Sequence, residues 1–95
     1  MTTFFMFGKY SAHALRNVSA DRTREAEHLV ARFQGTIKEK YVLLGQYDLV
    51  LILDLPGFEE AMRVSTELTK LTDIHFTTCP ALSVSEFDIF AQVEE

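Results

Sequence analysis

Apolar residues in this chain gather into four short dense runs, separated by two longer stretches where they recur every third or fourth position. The first run, residues 3–10 (TFFMFGKY), is short and aromatic-rich, as a strand requires. Ser11 follows and can cap a helix through its hydroxyl. In the stretch that runs to Gln34, Leu15 and Val18 share one stripe, and Ala26, Leu29, Val30 and Phe33 continue it. The phase slips near Ser19-Ala20-Asp21, which predicts a bend there and a second helical segment capped by Ser19. Gly35 stands where a left-handed residue would end that helix.

Residues 36–44 (TIKEKYVLL) and 47–55 (YDLVLILDL) read as two strands, and the short link between them predicts a β-hairpin. Pro56-Gly57 breaks the chain. A second helix is expected from about Phe58, with Glu59 and Glu60 near its positive end. Its inward stripe reads as Phe58, Ala61, Met62, Ser65, Leu68 and Leu71. Residues 74–79 (IHFTTC) make a last strand closed by Pro80. Ser85 opens a short terminal helix with Phe87 and Phe90 as its anchors. The order β-α-β-β-α-β predicts an α+β, ferredoxin-like fold: a four-stranded antiparallel sheet with both helices on one face and a short C-terminal helix.

The third strand does not alternate apolar with polar, as a strand with one wet face should. Leu49, Leu51 and Leu53 point one way, and Val50 and Ile52 the other; the first strand sets Phe4 and Met6 against Phe5 and Phe7. Two helices cover only one face. The other face needs the C-terminal tail or a second subunit, and one short tail is too small for the whole sheet. The pattern therefore predicts self-association through the sheet face, as a homodimer or a higher oligomer.

Composition narrows this further. At 95 residues the chain forms a single domain, residues 1–95, large enough to fold without staples. Its net charge of −5 and lack of a basic cluster argue against nucleic acid and anionic membranes as partners. No stretch approaches the ~20 apolar residues of a membrane span. The N-terminus lacks the basic region of a signal peptide. The one cysteine, Cys79, excludes an internal disulfide. These features predict a cytoplasmic location.

The link between the hairpin strands reads LGQYDL, residues 44–49. Its two-residue loop is Gly45-Gln46 or Gln46-Tyr47. Either choice puts Val42, Leu44, Leu49, Leu51 and Leu53 on one face. Tyr41, Leu43, Asp48, Val50 and Ile52 take the other, with Glu39 and Asp54 farther along. The all-apolar set is expected to meet the helices. Asp48 and Tyr41 then look into the space between sheet and partner. Asp48 has a structural role open to it, accepting backbone N–H bonds at the turn, and a ligand contact as the alternative. Tyr47 can pack at the hairpin end. Tyr41 is the better pocket candidate, because a buried Tyr hydroxyl needs a partner.

On Gly45, Tyr47 and Asp48, the chain resembles the GYD-domain family, named for its G-x-Y-D hairpin. The resemblance extends to FMFGKYSAHAL near the start, the long first helix and IHFTTCPALSVSEF near the end, and so covers most of the chain. It implies a ferredoxin-like dimeric α/β barrel with no settled biochemical role. The hairpin is also similar to that of effector-binding domains in leucine-responsive-type regulators, which sit in related dimers. No DNA-binding helix-turn-helix stands ahead of it here, so a DNA-binding role is not expected.

His75 and Cys79 invite a metal site or a thiol-imidazole pair. Four residues apart on a strand, they share a face but lie roughly 13 Å from each other, too far to share a metal. No metal or cofactor is expected. Cys79 reads as a small buried residue, and His13 and His28 as surface. His75 is the plausible catalytic histidine if it faces the inter-sheet space; its facing is open. Two functions fit: a non-catalytic small-molecule-binding or interaction module, and, alternatively, a cofactor-free monooxygenase- or isomerase-like enzyme with a pocket between sheet and helices. Tyr41, Asp48 and His75 around one cavity would favour the enzyme; a filled interior would favour the module.

Overall fold

The structure, a computed structural model, describes residues 1–92. Four strands pair in one antiparallel sheet: β1 (Thr2–Tyr10), β2 (Thr36–Val42), β3 (Leu49–Leu55) and β4 (Ile74–Ala81). Their order across the sheet is β2-β3-β1-β4, the ferredoxin-like arrangement. Between them run α1 (Ala12–Arg16), α2 (Ala20–Arg32) and α3 (Phe58–Thr72), and α4 (Val84–Ala91) follows β4.

Serines start the first two helices as their spacing predicts. The Ser11 hydroxyl accepts from Ala14 N at 2.9 Å, and that of Ser19 accepts from Arg22 N at 3.0 Å, each satisfying a backbone donor of the first turn. The bend at Ser19 is the junction of α1 and α2. In α1, however, Ala14 is the buried residue, while Leu15 and, past the helix end, Val18 are exposed. A single turn presents one position inward, and Ala14 occupies it.

The core lies between α2, α3 and one sheet face. Leu29 and Val30 from α2 and Ala61, Val64 and Leu68 from α3 pack on Phe4, Met6, Leu51, Leu53 and Leu55. The inward stripe of α3 is thus rotated from the expected one: Val64 and Thr72 are buried, whereas Phe58, Met62 and Leu71 are exposed. A helix carrying apolar residues on more than one flank is oriented by what its neighbours leave open.

Gln34 takes the left-handed conformation (φ 64°) at the end of α2, in place of Gly35. Gly35 is needed for a different reason. A Cβ there would collide with Leu55 Cδ2 and sit 2.8 Å from the Asp54 carbonyl oxygen. Gly35→Ala should therefore destabilise the fold by about 1–3 kcal/mol through overpacking against backbone, measured by urea unfolding. An unchanged midpoint would show that β3 and the α2 terminus can move apart at no cost.

The hairpin pairs Val42 with Leu49 and Tyr41 with Val50, the register of a loop centred on Gly45-Gln46. The loop is wider than two residues, because the ladder closes with Leu43 N donating to Asp48 O at 2.8 Å. Leu44 leaves the sheet and is fully exposed. Farther along, a bulge between Ile37 and Glu39 shifts the register and turns Ile37 onto the helix face. Pro80 does not close β4 but pairs with Phe4 inside it. β4 is an edge strand, where a residue without an N–H is tolerated.

The terminal helix departs from expectation. Its N-cap is Ser83, not Ser85, and none of its residues is buried. Phe87 and Phe90 pack edge-on against each other, with centroids 5.2 Å apart, rather than anchoring α4 to the domain.

Candidate functional site

The 43–48 loop is built around β1. Gly45 has φ 147° with open space beside its Cα, a conformation side chains disfavour. The Tyr47 ring lies 5.2 Å from that of Phe7, tilted by 35°. Lys9 Nζ donates to Gln46 O at 3.1 Å. Asp48 ties the strands together: its N–H donates to Gly8 O at 2.9 Å, and its Oδ2 accepts from Tyr10 N at 2.9 Å. The carboxylate thus prolongs the β1–β3 ladder, whose last paired residues are Gly8 and Leu49. Asp48→Asn should lower stability by about 1–2 kcal/mol, the scale for weakening a hydrogen bond to a charged group. A chemical denaturation curve identical to wild type would free Asp48 from this structural duty.

Tyr41 is not the buried hydroxyl the sequence pointed to. It is 54% exposed, and its OH donates to Glu39 Oε2 at 3.2 Å. β4 resolves the facing of the other candidates. His75 stands opposite Lys9, Thr77 opposite Phe7 and Cys79 opposite Phe5, all on the face away from the helices. Cys79 is exposed there, not buried. Tyr41 and His75 occupy opposite edge strands, three spacings apart, or roughly 14 Å at ~4.8 Å each. Tyr41, Asp48 and His75 therefore do not converge on one reacting bond. Among the described residues, no three of His, Cys, Asp and Glu are grouped to hold a metal ion.

The open face itself is apolar. Phe5, Phe7, Val50 and Ile52 share it by register, and the rings of Phe5 and Phe7 lie 6.2 Å apart. Its rim is polar: Thr3 Oγ1 donates to Asp54 Oδ1 at 2.8 Å, and Lys38 lies 3.8 Å from Asp54 Oδ2.

On the other side of the sheet, a cavity of about 290 Å³ opens between β2, β3 and the helices. Its walls are largely apolar, with Ile37, Leu49, Leu51 and Ile74 among them, and it includes Arg22, Lys40, the Tyr10 ring and Tyr41, the pocket candidate of the sequence. Arg22 and Lys40 were not singled out in the sequence. The signal was present: Arg22 precedes Ala26, Leu29 and Val30 by four, seven and eight residues, which places a cation on the apolar stripe of α2.

Sheet order, helix placement and the loop docked on β1 define a ferredoxin-like α+β domain. The chain belongs to the GYD-domain family, whose model matches residues 4–91. No curated protein sequence matches it. Solved structures share the fold. The leucine response regulatory protein (LrpA) of Mycobacterium tuberculosis superposes with a TM-score of 0.58 at 7% identity, over 87% of this chain and 51% of that one. An AsnC family transcriptional regulator from Agrobacterium tumefaciens gives 0.58 at 17% identity, over 86% of this chain and 50% of that one. This chain therefore spans about half the length of either regulator. Hypothetical protein PHS023 from Pyrococcus horikoshii gives 0.56 at 25% identity, over 87% of this chain and 92% of that one.

Proposed function

We propose that this protein is a non-catalytic small-molecule-binding module that works as a homodimer or larger assembly joined through the open face of its sheet. The observation that carries the reading is the apolar layer of Phe5, Phe7 and Ile52, left partly exposed around the buried Val50, opposite a sheet face already filled by two helices. A layered fold buries both faces of a strand that is apolar on both sides. The exposed side chains of α4, Val84, Phe87, Ile89 and Phe90, supply further apolar surface to such an assembly. The separation of Tyr41, Asp48 and His75 favours binding over catalysis. The cavity on the helix side stays accessible when the opposite face is occupied.

The regulators that share the fold do not bring their role with it. A net charge of −5 opposes contact with a phosphate backbone. No helix among the described residues is long and apolar enough to cross a membrane. The location we assign is the cytoplasm, in keeping with a single, exposed cysteine. Sedimentation equilibrium at micromolar concentration tests the assembly. A mass of at least twice 10.9 kDa is expected, and a clean monomer would overturn the reading.

A further inference from the structure

We infer that the cavity on the helix side of the sheet is a binding site for a small carboxylate with an apolar body, recognised by Arg22. The inference rests on the reading of the protein as a ligand-binding module and names the ligand class.

Arg22 sits on the first turn of α2, where its backbone N–H is taken by the Ser19 cap. Its Nη1 donates to Ala14 O at 2.6 Å, which holds the partly buried guanidinium at the cavity wall. Among the described residues it makes no ion pair, and the only acceptor its guanidinium meets is Ala14 O. Lys40, the second cation of the cavity, is neutralised by Glu27 at 3.0 Å. Counted over the described residues, the cavity thus carries one uncompensated positive charge in a protein whose net charge is −5.

A guanidinium fork matches a carboxylate bidentately, and partial burial strengthens that pair relative to one in water. A phosphate monoester carries about −1.5 to −2 charges, more than the one cavity cation left unpaired among the described residues balances. The apolar body of the ligand follows from the walls. Leu49, Leu51 and Ile74 form the floor, and Val18 and Val42, 60% and 77% exposed, stand at the mouth. At about 290 Å³, the cavity lies at the small end of the ~300–1,000 Å³ typical of ligand sites, which selects a short acid.

Titration of the full chain followed by amide NMR tests this with three probes of matched length: octanoate, octanamide and octylamine. Octanoate should shift the amides of Arg22, Leu51 and Ile74, and should bind about 10- to 100-fold more tightly than octanamide, the worth of a charge-assisted hydrogen bond. Octylamine should bind most weakly. Arg22→Gln removes the charge while keeping a polar amide on the same turn, and should bring octanoate to the level of octanamide while leaving octanamide unchanged. If that variant does not fold, the wild-type comparison of octanoate with octanamide decides alone. Equal binding of the two by wild type would overturn the carboxylate assignment and leave the ligand-binding reading standing, since the cavity would still be occupied. No shift at those amides with any probe would overturn both.

Discussion

Ile52→Asp should convert the assembly into a folded monomer. Ile52 lies on the open face of β3, partly buried, opposite Phe5 on one side and Glu39 on the other. In a single chain an Asp there keeps access to water, and the helix-side core is untouched. Between two apposed sheets the same carboxylate is buried beside Glu39 with no cation assigned to it, and an unpaired buried charge costs several kcal/mol. That penalty weakens association by about 100-fold or more, at ~1.4 kcal/mol per decade. Sedimentation equilibrium reads the mass, and far-UV circular dichroism reads the fold. An assembly that persists with Asp at position 52 would move the interface to another surface. Val50 is the less informative neighbour, because at 8% exposure it is already buried within one chain. A charge there would damage folding as well as assembly.

Leu53→Ala should lower the melting temperature by about 12–24 °C without changing the oligomeric state. Leu53 is fully buried on the helix side of β3. It pairs with Phe4 on β1 and Ile37 on β2, so three strands close around it. Truncating a buried Leu costs about 2–5 kcal/mol, from lost transfer energy and the cavity left behind. At a central ~3 kcal/mol, with about 4–8 °C per kcal/mol in a domain of this size, the expected shift follows. Calorimetry and sedimentation below the transition check both halves of the prediction. A shift below a few degrees would mean that the helices collapse into the gap. The two substitutions sit one residue apart and act on opposite faces, so together they separate the surface that folds the chain from the surface that joins chains.

Arg22→Gln should alter ligand preference without altering assembly, because Arg22 and the open face lie on opposite sides of the sheet.

Much of this architecture was legible in the chain. Strand alternation placed Leu49, Leu51 and Leu53 on the helix side, and the Gly45-Gln46 option fixed the register of Val42 against Leu49. Ser11 and Ser19 marked the helix starts. These features depend on backbone hydrogen bonds and side-chain periods within a few residues, and a sequence displays such spacings directly. The sequence by itself thus determined the order of elements, the two-sided apolar strands and the G-x-Y-D loop. Only the tertiary structure decided that a bulge turns Ile37 inward, that α3 buries Val64 in place of Phe58, and that Tyr41 is half-exposed and bonded to Glu39. Only it showed that the Asp48 carboxylate reaches Tyr10 N, 38 positions away, and that Arg22 meets an apolar cavity assembled from strands and helices distant in the chain. These outcomes turn on which side chain first fills the space between elements, and that competition among distant partners leaves no fixed spacing in the sequence.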